Sequence, residues 1–345
     1  MYKFSKKIEN VYTCFANGHN SLIVVDKRII LLDDEIIFEG GEYTSADFCS
    51  NNFFRFGDIK NHFLGNILNK VIEKIDYSFG SNVISSKGVI ATKNYRYDES
   101  DGKVKGDYYY LNYITKTEKL LLKDSEWHFV LTFDGEKKVI LRKLNIFKSL
   151  SLETGAYFWE VSLNAYGYQD SHLGYVEANI RQIIGVSGDV LVVFMFSGAL
   201  VGIDVQTGAI AWDIPFSKNY YPSDYQGNGW YWHLEGSYLY LFQHRYFLRI
   251  DLQTQKLEVL WQGAAEIDIE DCSYSEDFIY FMAINSDVSI IQPCVLGVFD
   301  RKKLEIVWQY NKIIGSSRPP QSDGSKLYCL DNAGVLHIFE REKTA

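Results

Sequence analysis

GDVLVVFMFSGALVGIDVQTGAIAWDIPF, residues 188–216, holds three short strands and the turns between them. Val190–Phe194 is an apolar run of strand length, closed by the turn pair Ser197-Gly198. Leu200–Asp204 follows and ends in Asp-x-x-Thr-Gly. Trp212 stands on a third strand, four residues after Gly208.

The unit recurs. Glu153-Thr154-Gly155 is followed by Trp159 at the same glycine-to-tryptophan spacing. Asp251-Leu-Gln-Thr254 repeats the turn with Gln255 in place of glycine, and Trp261 lies two residues late. Asp300-Arg-Lys-Lys303 with Trp308 keeps the Asp-to-Trp spacing but has lysine at the threonine position. The threonine-equivalent positions 154, 207, 254 and 303 lie 53, 47 and 49 residues apart. In each turn an Asp or Thr side chain is suited to bond backbone amides, and glycine supplies a positive φ. The tryptophan is expected to fill the wedge between adjacent sheets and to give its indole N–H to a neighbour. A period of about 50 residues with four strands per unit is that of a β-propeller blade.

The pattern Asp-x-x-Thr-Gly-x-x-x-Trp, as in Asp204–Trp212, resembles the repeat of the PQQ-like (quinoprotein-type) propellers. The resemblance runs over about residues 150–310 and is degenerate elsewhere. It implies a superfamily that holds quinone-dependent alcohol dehydrogenases and non-enzymatic scaffolds alike. Its enzymes are exported, with adjacent cysteines near the cofactor and a calcium-binding carboxylate. This chain has no adjacent cysteines and no export signal, so the non-enzymatic branch is expected, without cofactor.

Outside that core the blades follow from strand pattern. Val11–Ala16, Ser21–Val25, Arg28–Asp33 and Glu35–Glu39 make a compact first blade with tight turns at Gly18-His19, Asp26-Lys27 and Asp33-Asp34. Within 42–76, Asn52–Phe56 and Val71–Ile75 read as strands, with His62–Lys74 as an alternative short helix. A third blade uses Ser81–Ile84, Val89–Thr92, Tyr108–Ile114 and Lys119–Lys123. A fourth uses Trp127–Phe133, Lys138–Leu141, Ile146–Ser151 and Ala156–Ser162. Blades five to seven start near Arg181, Trp230 and Ile267. Lys326–Leu330 and Val335–Glu340 lack a fourth strand, and Tyr2–Ser5 is expected to complete that blade, because an open ring leaves unpaired edges. The prediction is an all-β single domain, residues 1–345, of eight four-stranded blades, or seven if 42–123 forms fewer sheets.

Composition agrees. Aromatic residues make up 16% of the 345, which suits pleated, half-buried surfaces. No apolar run is long enough to span a membrane as a helix. The five cysteines, Cys14, Cys49, Cys272, Cys294 and Cys329, are scattered, and MYKFSKKIENVYTCF shows no secretory pattern, so reduced thiols in a cytoplasm are expected. A net charge of −9 argues against nucleic acid and suits either solubility or a basic protein partner.

The Asp-x-x-Thr-Gly turns are short and belong to one side of such blades. Long segments fall opposite: Asn164–Asn179, Ser217–Gly229, Asp98–Asp107, Asn285–Cys294 and Asn311–Gln321. Long loops on a rigid scaffold are the usual place for function. Two are rich in contact-prone aromatics: Tyr166, Tyr168 and Tyr175 with His172, and Tyr220, Tyr221 and Tyr225 with Trp230 and Trp232 just beyond. Asp268, Glu270 and Asp271, after Glu266, give one strand an acidic face, which suits either solvent or the rim of a basic partner's site. These residues are the candidate partner-binding set, and the Tyr-rich loops also suit ordinary packing between blades.

Catalytic signatures are missing. The seven histidines (His19, His62, His128, His172, His233, His244 and His337) have no metal-type spacing, and no phosphate loop, nucleophile elbow or dinucleotide fingerprint is present. Asp98–Asp107 lacks calcium-loop spacing and reads as a solvated hairpin. The expected function is therefore a cytoplasmic, monomeric, non-enzymatic scaffold that binds a protein, such as a bacterial immunity-type protein occupying a toxin domain. The alternative is a carbohydrate-active propeller whose carboxylates gather near the central channel without a local motif.

Overall fold

A computed structural model of the chain describes residues 1–43, 45–50, 53–58, 61–75, 88–98, 103–112, 115, 117–133, 137–170, 174–215, 221–222, 231–264, 267–285, 294–313, 315–316 and 318–342. The fold is an all-β propeller of eight blades, as the repeat arithmetic predicts. Among the described residues the one helical element is a single 3-10 turn, Asn164–Tyr166. Seven blades are four-stranded antiparallel meanders, and the third, Gly88–Asp98, Lys103–Asn112 and Glu118–Ser125, shows three strands. The strand expected at Ser81–Ile84 lies outside the described residues.

By its contacts the chain forms two compact units: 1–75, 240–250 and 257–345 in one, and 76–239 with 251–256 in the other.

The first unit holds the first, second, seventh and eighth blades. The first is Val11–Ala16, Ser21–Val25, Ile29–Leu32 and Glu35–Glu39. The second is Ser45–Ser50, Phe53–Gly57, His62–Asn66 and Ile72–Ile75. A helix over His62–Lys74 is therefore incorrect. His62–Asn66 pairs with Phe53–Gly57, and the Asn66 carboxamide accepts the amides of Leu68 and Asn69 to turn the chain back. Sheet pairing that buries Phe54 and Phe56 outweighs local helix propensity there.

The eighth blade contains both ends of the chain. Tyr2–Ile8 pairs antiparallel with Leu336–Arg341, outside Lys326–Leu330 and Gln321–Ser322. The expected outer strand Tyr2–Ser5 is present and runs on to Ile8. Tyr2 is buried against Tyr280 and Trp308 of the seventh blade. Lys326 and Lys6 reach Asp34 of the first blade at 2.5 and 3.2 Å. Burial pushes the Asp34 carboxyl up, but these two ammonium groups more than offset it and hold it below the ordinary range.

Aromatic rings lie over cross-strand glycines in this unit. Phe54 pairs with Gly65 and Phe281 with Gly297, and a Cβ at either glycine would meet the ring at 2.1 Å. Glycine lets the ring lie flat on the neighbouring strand. Burying each Phe contributes about 1.5–3 kcal/mol.

The second unit holds the third, fourth and fifth blades, and its core runs from Ile140 and Phe147 of the fourth to Leu191, Val193 and Val201 of the fifth. The fourth is His128–Phe133, Lys138–Lys143, Ile146–Ser151 and Tyr157–Ser162; the fifth is Ile180–Ser187, Val190–Met195, Leu200–Asp204 and Ile210–Ile214. The sixth, His233–Glu235, Tyr238–Gln243, Tyr246–Asp251 and Lys256–Gln262, is divided between the units.

The repeated turn is one hydrogen-bond device with changing residues. Asp204 Oδ1 accepts the amides of Gln206 and Thr207 at 3.0 and 2.8 Å, and Gly208 N–H closes on Asp204 O at 2.8 Å with φ of 76°. Ser151, Asp251 and Asp300 cap their turns in the same way. The positive-φ position is then Gly155, Gln255 or Leu304. Asn66 with Lys70, φ of 55°, belongs to the same set.

Candidate functional site

Antiparallel meanders place the second-to-third-strand turns and the connections between blades at the same ends of the strands. In the second unit these segments are tied together. Leu163 N–H donates to Asn145 O at 2.9 Å, the Asn145 carboxamide donates to Ala178 O, and Phe196 N–H donates to Asn179 O at 2.9 Å. The long Asn164–Asn179 connection is thus ordered over its described part: the 3-10 turn, then a hairpin of Tyr168–Asp170 with Gly174–Val176.

From this framework three apolar side chains project to solvent, and a fourth, Tyr231, is exposed where the described chain resumes before the sixth blade. Tyr175, on the hairpin, is 64% exposed and lies over Gly167, where a Cβ would meet its hydroxyl at 2.3 Å. Phe196, in the turn that opens the third strand of the fifth blade, is 48% exposed with the Arg181 guanidinium 5.4 Å from its ring centroid. Tyr231 is 59% exposed beside Trp232. Leu144 is 75% exposed in the turn of the fourth blade and has a φ of 51°. A leucine in the left-handed region costs about 1 kcal/mol against glycine or asparagine, and its side chain here packs against little.

The expected set divides. Tyr166 is partly buried; burial and then the nearby Asp213 carboxylate of the fifth blade push its hydroxyl up. Tyr168 and Tyr221 are partly buried. His172, Tyr220, Tyr225 and Trp230 lie outside the described residues. Trp232 is 3% exposed, which removes it as a surface contact. Its backbone exchanges both hydrogen bonds with the Gln182 carboxamide and its ring meets Phe194 edge-on, so it is a core residue. Phe196, Leu144 and Tyr231 were not expected, since an apolar residue next to a turn looks like core in the sequence.

Around Asp98–Asp107, read from the sequence as a hairpin, the strands on either side of 99–102 pair antiparallel, with Asp98 opposite Lys103.

The acidic string lies in the first unit, on Ile267–Tyr274, the first strand of the seventh blade. A register shift between Ile269 and Asp271 breaks the simple alternation of faces. Ile269 is buried, and its backbone exchanges hydrogen bonds with His244 at 2.8 and 2.9 Å. That bridge puts His244 Nδ1 2.6 Å from Asp268 Oδ1, and ligand atoms of His244, Asp268 and Glu270 lie within 4.8 Å of one another. The hydrogen bond to Asp268 holds the imidazole above its ordinary range; burial, then the Asp268 charge, pushes the Glu270 carboxyl up. Asp271 is raised by burial. A histidine and two carboxylates are a donor set for a divalent cation.

Buried His337 presents Nε2 to Asp331 Oδ2 at 2.9 Å, while Asp331 Oδ1 accepts the amides of Ala333 and Val335. This pair closes the hairpin between the second and third strands of the eighth blade. Among the described residues Cys14, Cys272, Cys294 and Cys329 are free thiols. Among those residues no helix is long and apolar enough to cross a membrane.

Solved structures share this fold. The computationally designed Ika8 protein matches 98% of this chain and 98% of its own at a TM-score of 0.60 and 12% identity. Sqt1 of Saccharomyces cerevisiae matches 99% of this chain and 98% of its own at 0.57 and 13%. The dihydro-heme d1 dehydrogenase NirN, solved with DHE, matches 88% of this chain and 67% of its own at 0.54 and 13%. No protein-family model and no curated protein sequence matches the chain. At such identities the likeness is one of fold, and the fold is the β-propeller.

Proposed function

We propose that this protein is a non-enzymatic, PQQ-like propeller that works in the cytoplasm by binding another protein through the loop-bearing ends of its second unit. The observation that carries the reading is the set Leu144, Tyr175 and Phe196, exposed on segments that backbone hydrogen bonds hold in place, with Tyr231 exposed next to Trp232, whose backbone the Gln182 carboxamide holds. Loops tied to rigid sheets lose little freedom on binding, and exposed aromatics on them bring contact area at low entropy cost. Leu144 adds a specific argument. It is an exposed apolar side chain in a strained conformation, and stability alone favours asparagine or glycine at that position.

The net charge of −9 supports a basic partner, and an immunity-type role against a toxin domain is the form of partnership that the acidic surface suits best. The test is association with a partner captured on the tagged chain, measured for wild type and for the triple variant Leu144→Asn, Tyr175→Ser, Phe196→Ser. Loss of binding with the fold intact supports the reading; undiminished affinity sinks it.

A further inference from the structure

Two equivalent places in the second unit are built differently. Trp159 pairs across its sheet with Ser149, stands away from it, and reaches the turn of the next blade. There it covers Gly208, and its indole N–H donates to Val205 O at 2.9 Å. Trp212 occupies the same position one blade later, but its cross-strand partner is Gly202. With no Cβ beneath it, the indole lies flat on Gly202, where a Cβ would fall 2.3 Å from the ring. The turn that Trp212 would otherwise cover, Asp251–Gln255, carries Gln255 where Gly208 stands in its predecessor. Trp212 therefore stays on its own sheet, one face down and the other toward a groove.

That groove has a volume of about 800 Å³ and is lined by Trp212, Ser187, Ser237, Gln253, Gln255 and Leu252 with aliphatic residues and glycines between them. No charged side chain lines it. Its polar groups are two carboxamides, which donate and accept, and two hydroxyls, one of them (Ser187 Oγ) donating to Gly236 O at 2.8 Å. An indole face beside uncharged groups that both donate and accept matches a pyranose ring. The ring's C–H face stacks on the aromatic, and its hydroxyls need partners of both kinds. Phosphate or carboxylate ligands find no cation here, and cationic ligands find no carboxylate.

We infer that this groove is a binding site for a neutral oligosaccharide, with Trp212 as its platform and Gln253 and Ser237 as hydrogen-bond partners. It lies at the turn-bearing ends of the strands, opposite to Phe196 on the fifth blade, and is independent of the proposed protein-binding loops.

The test is tryptophan fluorescence of the full chain titrated with maltotriose, cellotriose and N,N′,N″-triacetylchitotriose to roughly 10 mM, which saturates a site of Kd about 1 mM. At least one is expected to bind saturably. Trp212→Ala is expected to weaken it tenfold or more, with circular dichroism and calorimetry used to follow the variants where the fluorescence signal is lost. Gln253→Ala, an exposed side chain whose loss leaves the turn intact, is expected to weaken it about fivefold, the equivalent of one hydrogen bond. Tyr175→Ala is expected to bind as wild type. No saturable binding of any of the three sugars overturns the inference. So does unchanged affinity in Gln253→Ala, or competition by an uncharged Gly-Ser-Gln peptide at equal concentration, which assigns the groove to peptides.

Discussion

Replacing Gly208 by alanine perturbs a backbone conformation and an interblade contact together, and Gly155 separates the two. Both glycines sit at the same place in the repeated turn, with φ of 76° and 77°. A Cβ at Gly155 meets nothing within 4 Å, whereas at Gly208 it falls 2.7 Å from the Trp159 ring. Alanine in the left-handed region costs about 1–2 kcal/mol. The smaller entropy of the unfolded alanine chain returns about 0.4–1 kcal/mol. Gly155→Ala is therefore expected to destabilise by up to about 1.6 kcal/mol.

Gly208→Ala adds the displacement of Trp159. Its bond to Val205 O at 2.9 Å is lost, worth about 1 kcal/mol, and part of the indole packing is lost with it. The total is about 2–3 kcal/mol. Urea denaturation followed by circular dichroism measures both variants, and Gly208→Ala in a Trp159→Ala background completes a double-mutant cycle. There the second substitution is expected to cost no more than Gly155→Ala does. Equal costs for the two glycines, or strict additivity with Trp159→Ala, would refute the assignment of Trp159 as the clamp between these blades.

Phe281→Ala, which removes a ring buried on Gly297, is expected to cost about 3–5 kcal/mol by the same assay. Leu144→Asn relieves left-handed strain at an exposed position, so it should raise stability by up to about 1 kcal/mol while weakening partner binding; a loss of stability contradicts the functional reading of that leucine. Deleting residues 1–8 exposes the edge of Leu336–Arg341 and removes Tyr2 from its contacts with Tyr280 and Trp308; light scattering should show more association than in wild type. The His244–Asp268 pair raises the imidazole pKa in the folded state, so its contribution is complete below the unfolded value of about 6.5 and is lost as pH rises through the folded value. Denaturation midpoints at either side of that window should differ less in His244→Gln than in wild type.

The sequence makes the turns legible because their capping is local. An Asp accepting two amides and a glycine at positive φ leave a short, fixed pattern at Asp204–Gly208, and three variants that each keep part of it, at 151–155, 251–255 and 300–304, set the blade period with it. The same geometry at Asn66–Lys70 escapes notice, since asparagine and lysine meet its demands with different chemistry. That is why His62–Lys74 also read as a helix. Tryptophan spacing locates Trp159 and Trp212 alike, yet their orientations depend on Ser149 against Gly202, a cross-strand neighbour that linear spacing does not show.

The candidate surface was legible in part. The Asn164–Asn179 loop and Tyr175 follow from loop length and composition. Trp232 looked like a contact residue and is core, because Gln182, fifty positions away, satisfies its backbone and Phe194 meets its ring. His244 and Asp268 have no sequence relation to each other. The bridge between His244 and Ile269 brings them together, so only the sheet reveals the pair.

The most direct measurement is cross-linking of the tagged full chain to its partner, with identification of the linked peptides. Wild type and Gln253→Ala are expected to give the same partner, linked at or beside residues 144–145, 175–178, 196–199 and 231. The triple variant Leu144→Asn, Tyr175→Ser, Phe196→Ser is expected to lose it. A partner retained by the triple variant, or linked only at the Asp204–Gly208 ends of the strands, contradicts the claim that this protein works through its loops.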